Sequence, residues 1–144
     1  MVRIAKNNDL DIIVDMSLNI FKNSQKDELY DEFKELLSND DVCLFVKEKN
    51  GLVVAFAQVQ LRKDYVEGCE TSPVGYLEGI FVDEKFRGNG YAKELLGACE
   101  NWAKCKGCTE FASDCEIDNI DSFKFHLSVG FNEQNRIICF KKNI

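Results

Sequence analysis

Apolar residues recur along this chain with two different periods, and the change of period predicts where helices and strands lie. Between residues 92 and 103 they recur at the spacing of the buried face of an amphipathic helix. The runs 42–47, 52–61 and 74–82 are rich in β-branched and aromatic residues and predict strands. Asn50-Gly51, between the first two runs, has the turn chemistry of a β-hairpin.

The full pattern predicts one domain, residues 1–144, with the order β-α-α-β-β-β-α-β-α-β. The predicted elements are strand Val2–Ala5, a helix capped by Asp9 that carries Ile12, Ile13, Met16, Ile20 and Phe21, helix Asp27–Leu37, strands Val42–Lys47, Leu52–Leu61 and Val74–Val82, a helix from residue 91 to about Lys106, strand Glu110–Asp114, helix Asn119–Val129 and a closing strand Arg136–Lys141. An extra short strand near Phe131 also fits the pattern. Hairpins combined with crossover helices predict a mixed α/β fold of the α+β kind, with a mostly antiparallel central sheet and about four flanking helices.

A short glycine-containing loop joins the strand Ile80-Phe81-Val82 to the third predicted helix. It reads Arg87-Gly88-Asn89-Gly90-Tyr91-Ala92. Two glycines and an alanine leave room for an anion to reach backbone N–H groups, and the helix directs the positive end of its dipole to the same point. Asn89-Gly90 is also a hairpin signal, but the apolar period that follows indicates a helix. The loop therefore predicts an anion site suited to a pyrophosphate, although it is neither a Walker loop nor a complete dinucleotide motif.

Composition narrows the classes of partner. The formal net charge of −7 argues against nucleic acid and is compatible with a cationic small substrate. No run of about 18 apolar residues predicts a membrane span, and the N-terminus lacks the pattern of a signal peptide, so we expect a cytoplasmic protein. The seven cysteines are odd in number and irregular in spacing, which favours reduced thiols. We expect no metal, although a zinc site using Cys105 and Cys108 remains an alternative.

The strand, the Arg-x-x-Gly-x-Ala loop and the helix together resemble the acetyl-coenzyme A signature of the GNAT N-acetyltransferase superfamily. The resemblance implies that the loop amides of residues 87–92 hold the coenzyme pyrophosphate and that Ile80 to Val82 pair with the pantetheine arm. It also implies a bulge in the strand near Gly79, which splays the central strands and admits that arm. The stretch 119–131 resembles the second conserved block of the superfamily. By that resemblance Asn119 and Ser122 lie beside acetyl-CoA, and His126 stands where the family has a tyrosine that protonates the thiolate. An imidazole could donate that proton, and the alternative is that His126 is a packing residue.

Acetyl transfer to an amine also needs a group that accepts a proton from the amine. It needs a hydrogen-bond donor to the carbonyl oxygen as well, because negative charge develops there. Glu78 precedes Gly79 on the central strand, and Asp114 closes the neighbouring strand. If these strands splay, both acids line the gap and are candidate catalytic groups; the alternative is that both are merely solvated. The backbone N–H of Phe81 or Val82 is the candidate donor to the carbonyl oxygen.

A closer resemblance, over nearly the whole chain, is to the aminoglycoside 6′-N-acetyltransferases, which are bacterial resistance enzymes. The segments 64–68, 72–82 and 110–114 carry it. It implies Tyr65 as a wall of the substrate site, Glu78 and Asp114 as the acids that receive the drug's ammonium groups, Phe21 as an apolar wall or a core residue, and a homodimer. The alternatives are a GNAT enzyme that acetylates another amine, such as a polyamine or a protein N-terminus, and a coenzyme-binding sensor without catalysis.

Overall fold

Alternation along the second strand divides the side chains between two hydrophobic layers. The computed structural model describes residues 1–144. Its elements are β1 (Val2–Ile4), α1 (Leu10–Ser17), α2 (Lys26–Leu36), β2 (Val42–Lys49), β3 (Leu52–Arg62), β4 (Val74–Val82), α3 (Tyr91–Cys105), β5 (Phe111–Ser113) and α4 (Ile120–Ser128). Leu44 and Val46 of β2 pack with α1 and α2, whereas Cys43 and Phe45 pack with α3. The sheet therefore has helices on both faces.

The five strands follow one another across the sheet in the order β1-β2-β3-β4-β5. Neighbouring strands from β1 to β4 are antiparallel, and β5 is parallel to β4. The predicted mixed, mostly antiparallel fold is confirmed. No helix of the protein has both the length and the apolar character that crossing a bilayer requires.

The bulge expected beside Gly79 is present. Gln58 of β3 is opposite Gly79, but the next residue, Val59, is opposite Leu77, so Glu78 is the extra residue of β4. Pairing between β4 and β5 ends at Leu77 and Ser113. Beyond that point the two strands no longer share a ladder, and a bulge adds the local twist that lets them separate.

The first predicted helix is shorter than its apolar pattern suggests. α1 ends at Ser17, so Ile20 and Phe21 lie beyond it, and Ile12 is 39% exposed. The Ser17 hydroxyl donates to Val14 O at 2.8 Å, and the Asn19 amide donates to Met16 O at 3.0 Å. Such side-chain bonds to the last carbonyls compete with helix continuation, which explains the early end.

The predicted closing strand Arg136–Lys141 is wrong for the single chain, as is the extra strand near Phe131. Residues 132–144 form no regular element, and none of their backbone groups bonds to another backbone group. The chain is instead drawn toward the β3–β4 connection, where Asn135 Nδ2 donates to Glu67 Oε1 at 2.8 Å. This bond is one contact between the segment and the rest of the domain.

Candidate active site

The separation of β4 from β5 opens a cleft of about 1160 Å³. That volume is somewhat larger than the usual range for small-molecule sites, about 300–1,000 Å³. The cleft is lined by most of the site residues predicted from the sequence. They are Phe21, Glu78, Ile80, Phe81, Val82, Arg87, Gly88, Gly90, Tyr91, Ala92, Asp114, Asn119, Ser122 and His126. Tyr65 and Asn89 do not line it.

The loop before α3 presents bare backbone to the cleft. The N–H groups from Gly88 to Lys93 have no hydrogen-bond acceptor within the protein, and no side chain caps α3. Gly88 and Gly90 have φ of +80° and +78°, and nothing lies within 4 Å of the place where a Cβ would stand on either. Left-handed backbone, open space and free amides at a helix N-terminus are what an anion site requires.

Two side chains of this loop, those of Arg87 and Asn89, contact the protein's own backbone. Arg87 Nε donates to Val82 O at 3.0 Å, and the guanidinium lies 5.4 Å from the centre of the Phe81 ring. Asn89 Nδ2 donates to Phe86 O at 2.9 Å. The Asn89 side chain therefore stabilises the loop conformation. Only the backbone N–H of Asn89 is free to bind a ligand.

The exposed edge of β4 determines which amides reach the cleft. Asp83 N–H donates to Val54 O of β3 at 2.9 Å. Because antiparallel ladders alternate, Phe81 also faces β3, whereas Ile80 and Val82 face away from it, toward the cleft. Val82 N–H is therefore available as a donor to a carbonyl oxygen. The expectation that Phe81 N–H could serve equally is wrong, because the β3 ladder uses it.

Glu78 is already paired with a cation. Its carboxylate accepts bonds from Arg62 Nε at 2.9 Å and Arg62 Nη2 at 3.0 Å, a bidentate geometry. The Arg62 guanidinium carbon also lies 3.4 Å from the centre of the Tyr76 ring. Glu78 thus reaches the cleft with its charge partly neutralised, which the sequence did not indicate.

Asp114 has a different partner. It follows β5 directly and accepts a hydrogen bond from the hydroxyl of Tyr76, a residue only 6% exposed. Burial, together with this bond to Asp114, raises the pKa of Tyr76 above its ordinary value. The phenol therefore stays protonated and keeps donating, which holds the carboxylate in one orientation at the cleft.

His126 lies on α4 within a short hydrogen-bonded chain. Its Nδ1 is 2.6 Å from Ser122 O, and its Nε2 is 2.8 Å from the hydroxyl oxygen of Ser113. Since a carbonyl can only accept, Nδ1 carries the proton. Ser113 Oγ is also 3.3 Å from Leu77 O. The imidazole is thereby linked through Ser113 to the point where β4 and β5 separate.

The other two residues of the second conserved block lie at the start of α4. Asn119 is the N-cap, and its Oδ1 accepts from Ser122 N–H at 3.1 Å. The Asn119 Nδ2 has no partner in the protein and is free to donate into the cleft. The Ser122 hydroxyl is 3.4 Å from His126 Nδ1. Both residues line the cleft.

Tyr65 stands apart from these groups. It is 80% exposed, and its hydroxyl donates to Glu67 Oε2 at 2.7 Å. The bonds from Asn135 and Tyr65 lower the pKa of Glu67, and the bond to Glu67 raises the pKa of Tyr65. The β3–β4 connection that carries Tyr65 is thus held in place by the C-terminal segment.

Sequence reasoning missed three residues of the site: Arg62, Tyr76 and Ser113. Tyr76 is two positions from Glu78 on β4, and Ser113 precedes Asp114. Their closeness in sequence to the predicted acids could have marked both as site residues. Arg62 carried no such signal, because it ends β3 and meets Glu78 only through the register of the sheet.

Of the seven cysteines, only Cys115 lines the cleft. All seven are free thiols. Cys105 is exposed at the end of α3, Cys108 is buried, and no group of three or more His, Cys, Asp or Glu is arranged to hold a metal ion. Burial raises the pKa of Cys43 to about 11 and also raises that of Cys99. These two are inert core residues.

Comparison with known proteins identifies the chemistry of such a cleft. Residues 10–131 match the model of the acetyltransferase (GNAT) family. Aminoglycoside N(6′)-acetyltransferase type 1 of Serratia marcescens is 37% identical over 100% of this chain and 99% of its own. The enzyme of the same name from Salmonella typhimurium is 43% identical over 76% of this chain and 75% of its own.

Solved structures of similar proteins share this fold, and some of them contain CoA or a CoA analogue. An aminoglycoside N-acetyltransferase in complex with CoA superposes with a TM-score of 0.96 at 35% identity, covering 100% of this chain and 95% of that one. A complex with the bisubstrate analogue CoA-S-monomethyl-acetylneamine gives a TM-score of 0.95 at 35% identity, covering 100% and 98%. The free loop amides and the open edge of β4 fit the pyrophosphate and pantetheine of acetyl-CoA. This chain belongs to the acetyltransferase (GNAT) family and groups with the aminoglycoside N(6′)-acetyltransferases.

Proposed function

We propose that this acetyltransferase moves the acetyl group of acetyl-CoA to the 6′-amino group of an aminoglycoside by direct attack. The observation that carries the proposal is the composition of one cleft, which has an anion-binding loop at one end and two carboxylates where β4 and β5 separate. The relatives named for this activity cover the whole chain. N-acetylation converts a cation into a neutral amide, so the product loses a charge of the antibiotic, consistent with a role in resistance.

Acetyl-CoA would be held from two sides. The N–H groups of Gly88 to Lys93 are free to bind the pyrophosphate. Ile80 and Val82 expose a strand edge to the amides of pantetheine, which is the usual geometry of β-augmentation. The Nδ2 of Asn119 offers a further donor from α4. Acetyl-CoA supplies an activated acyl group as its thioester.

Asp114 is the group we assign as general base. Tyr76 fixes its orientation, and no cation of the protein neutralises it. It can hold the substrate ammonium and accept the proton that the nitrogen must lose before it can attack. The second proton leaves the nitrogen for solvent once the N–C bond has formed. Glu78, neutralised in part by Arg62, serves better to anchor a second ammonium group. Val82 N–H is placed to donate to the carbonyl oxygen as negative charge develops on it.

The departing thiolate must receive a proton as the C–S bond breaks. In its imidazolium form His126 would donate to Ser122 O through Nδ1 and to Ser113 Oγ through Nε2. Ser113 can then pass its own hydroxyl proton to the sulfur and be reprotonated from Nε2 of His126. The hydroxyl of Ser113 and the ring of His126 thus form one relay, in which Nε2 and Oγ are 2.8 Å apart, a distance suited to proton transfer.

The experiment compares amine substrates at fixed acetyl-CoA. Thiol release is measured with kanamycin, with tobramycin and, as the control polyamine, with spermidine. We expect faster release with either drug than with spermidine, and an acetamide at the 6′ nitrogen in the isolated product. Equal or slower release with the drugs would favour an acetyltransferase of another amine. Tight coenzyme binding without turnover on any amine would favour a sensor.

We further propose a homodimer that works in the cytoplasm on small molecules. Seven free thiols suit a reducing compartment. The net charge of −7 would repel a nucleic-acid backbone and attract a polycationic drug. Exposed apolar side chains after α4, Ile137, Ile138 and Phe140, are available to pack against a second copy and support the dimer.

A further inference from the structure

A second, smaller cavity adjoins the cleft on the face of the sheet that α1 and α2 cover. This cavity, here called the side pocket, has a volume of about 220 Å³. Phe21 and Glu78 line both the side pocket and the cleft, so the two share a wall. Sites for whole small molecules usually measure about 300–1,000 Å³, so the side pocket has room for one part of a ligand. Four polar and four apolar residues line it: Ser24, Glu32, Gln58, Glu78, Phe21, Leu29, Phe33 and Leu36.

Gln58 interrupts the apolar pattern of β3. Phe56 packs with the layer of α1 and α2, whereas Ala57 and Val59 pack with α3. The two-residue period of a strand places Gln58 on the same face as Phe56, where an apolar side chain would continue the core. Gln58 is nevertheless only 8% exposed. A buried amide at a core-facing position destabilises a fold unless it has a hydrogen-bond partner.

The amide of Gln58 has no such partner within the protein. No side-chain N or O atom of the protein is both sealed from solvent and unpaired, so this amide must open into the side pocket that it lines. Gly79 is opposite Gln58 on β4 and has no side chain that could cover or bond the amide. One donor group and one acceptor group are therefore presented to whatever occupies the side pocket.

The remaining walls combine negative charge with aromatic surface. Glu78 and Glu32 contribute two carboxylates, and Glu32 belongs to none of the protein's ion pairs. The rings of Phe21 and Phe33 form part of the apolar wall. An amine-bearing sugar or cyclitol ring suits such a lining. Its C–H faces can pack on aromatic rings, and its ammonium and hydroxyl groups can reach the carboxylates and the amide.

We propose that the side pocket receives a second ring of the aminoglycoside, the ring whose ammonium group Glu78 anchors. Gln58 bonds a hydroxyl or amino group of that ring, and Glu32 adds negative charge at the mouth of the side pocket. The inference rests on the proposed function, because it assigns another part of the same substrate. Both residues would contact the substrate far from the reacting nitrogen, so they should determine which amines bind and leave the chemical step unchanged.

The test uses two variants of the full chain, each with a matched control. Gln58→Leu removes the amide and keeps most of the volume, and Gln60→Leu is its control, two residues along β3 and outside both cavities. Glu32→Gln removes one charge from α2, and Glu28→Gln removes one from the same helix a turn earlier, also outside both cavities. Initial rates are measured with kanamycin and with the one-ring amine 6-amino-6-deoxyglucose. Calorimetric titration gives the kanamycin dissociation constant without acetyl-CoA.

Gln58→Leu should raise both KM and the dissociation constant for kanamycin by about three- to tenfold, the effect of one lost hydrogen bond. Glu32→Gln should raise them by about threefold, because its charge is exposed. The kcat with kanamycin should change by less than about twofold, as should kcat/KM for the one-ring amine, which lacks the second ring. The urea midpoint of Gln58→Leu should not fall, and both controls should match wild type.

Two results would overturn the inference. Unchanged constants for kanamycin in Gln58→Leu would mean that the side pocket holds water alone, and equal losses with the one-ring amine would mean general damage to the site. Failure of the proposed function looks different, since wild type would then not acetylate kanamycin at all. In that case the titration still decides about the side pocket: tighter kanamycin binding by wild type than by Gln58→Leu supports it, and equal or absent binding overturns it.

Discussion

The two acids of the cleft, Glu78 and Asp114, are held by different groups. Glu78 shares its charge with Arg62, whereas Asp114 accepts from the neutral phenol of Tyr76. A carboxylate without a cationic partner is the better proton acceptor, and one that is paired with a cation is the better fixed anchor. Substitutions that remove charge but keep shape should therefore affect kcat and KM differently at the two positions.

Asp114→Asn should lower kcat by about 10²–10⁴-fold, the usual contribution of general base catalysis. The amide keeps an oxygen that can accept from Tyr76, so the local structure should persist. Steady-state kinetics and calorimetric titration with CoA measure the effect, and CoA affinity should not change. Asp40→Asn is the control, an exposed acid before β2 that does not line the cleft. Equal activity of both variants would exclude Asp114 as the base.

Glu78→Gln should instead raise KM for the aminoglycoside by about tenfold, with a smaller change in kcat. It removes one charged hydrogen-bond partner of the substrate, typically equivalent to 1.5 kcal/mol or more. Initial rates over a range of drug concentrations give both constants. A large fall in kcat at unchanged KM would show that Glu78, and not Asp114, takes the proton.

Ser113→Ala should lower kcat by roughly tenfold to a hundredfold, because the hydroxyl that would carry a proton from His126 to the departing thiolate is lost. Ser113→Thr keeps that hydroxyl and should retain most of the activity. Thiol release under saturating substrates measures both variants, with His126→Ala alongside. If Ser113→Ala matches wild type while His126→Ala is impaired, the imidazole acts without the relay.

The junction of β4 with α3 depends on a backbone conformation that side chains rarely adopt. Gly90 is the N-cap of α3 with φ of +78°, whereas Gly97 lies within the helix, where an added Cβ would meet nothing within 4 Å. The same change, glycine to alanine, should therefore have opposite effects at the two positions. This contrast separates the conformation of the loop from the general helix preference of alanine.

Gly90→Ala should lower the free energy of unfolding by about 1–2 kcal/mol, the cost of a left-handed alanine, and should weaken acetyl-CoA binding. Gly97→Ala should raise the free energy of unfolding by about 0.5–1 kcal/mol and leave binding unchanged. Urea denaturation and CoA titration measure the two quantities. A Gly90→Ala variant with wild-type stability and affinity would contradict the assigned role of the loop.

One ion-pair network ties the start of the chain to the sheet. Arg3 of β1 donates to both carboxylate oxygens of Asp9, at 2.8 and 3.0 Å, and to Glu48 of β2 at 2.8 Å. Asp9 also accepts from Lys6 N–H at 2.8 Å, immediately before α1. The bond with Arg3 keeps the pKa of the buried Asp9 below its ordinary value.

A lowered pKa in the folded state means that Asp9 stabilises the fold when ionised. That contribution is complete above the unfolded pKa of about 3.9 and is lost as the pH falls through the lower, folded pKa. Asp9→Asn should therefore lower the free energy of unfolding by about 1–3 kcal/mol at pH 7. Denaturation curves from pH 7 to pH 3 should show the difference from wild type shrinking below about pH 4. A constant difference would mean that the charge of Asp9 is not the cause.

Much of this protein follows from local patterns. Some features depend only on interactions among a few neighbouring residues, and the sequence therefore predicts them directly. They are the periodic apolar residues of α3, the turn at Asn50-Gly51 and the glycines of the loop before α3. The helices and the first five strands were predicted on that basis, as was the bulge beside Gly79, which the family resemblance also implied. The end of α1 was not, because side chains of Ser17 and Asn19 compete with the helix for its last carbonyls.

The sequence alone predicted the glycine-containing loop, the helix behind it and the presence of two acids on adjacent strands, Glu78 within β4 and Asp114 directly after β5. The folded structure decided what holds those acids, because Arg62 meets Glu78 across 16 residues and Tyr76 meets Asp114 across 38, through the register of the sheet. It also decided that the strand-like residues 136–141 find no strand partner in their own chain. Local propensity sets what a segment can form, and long-range pairing sets which group it meets.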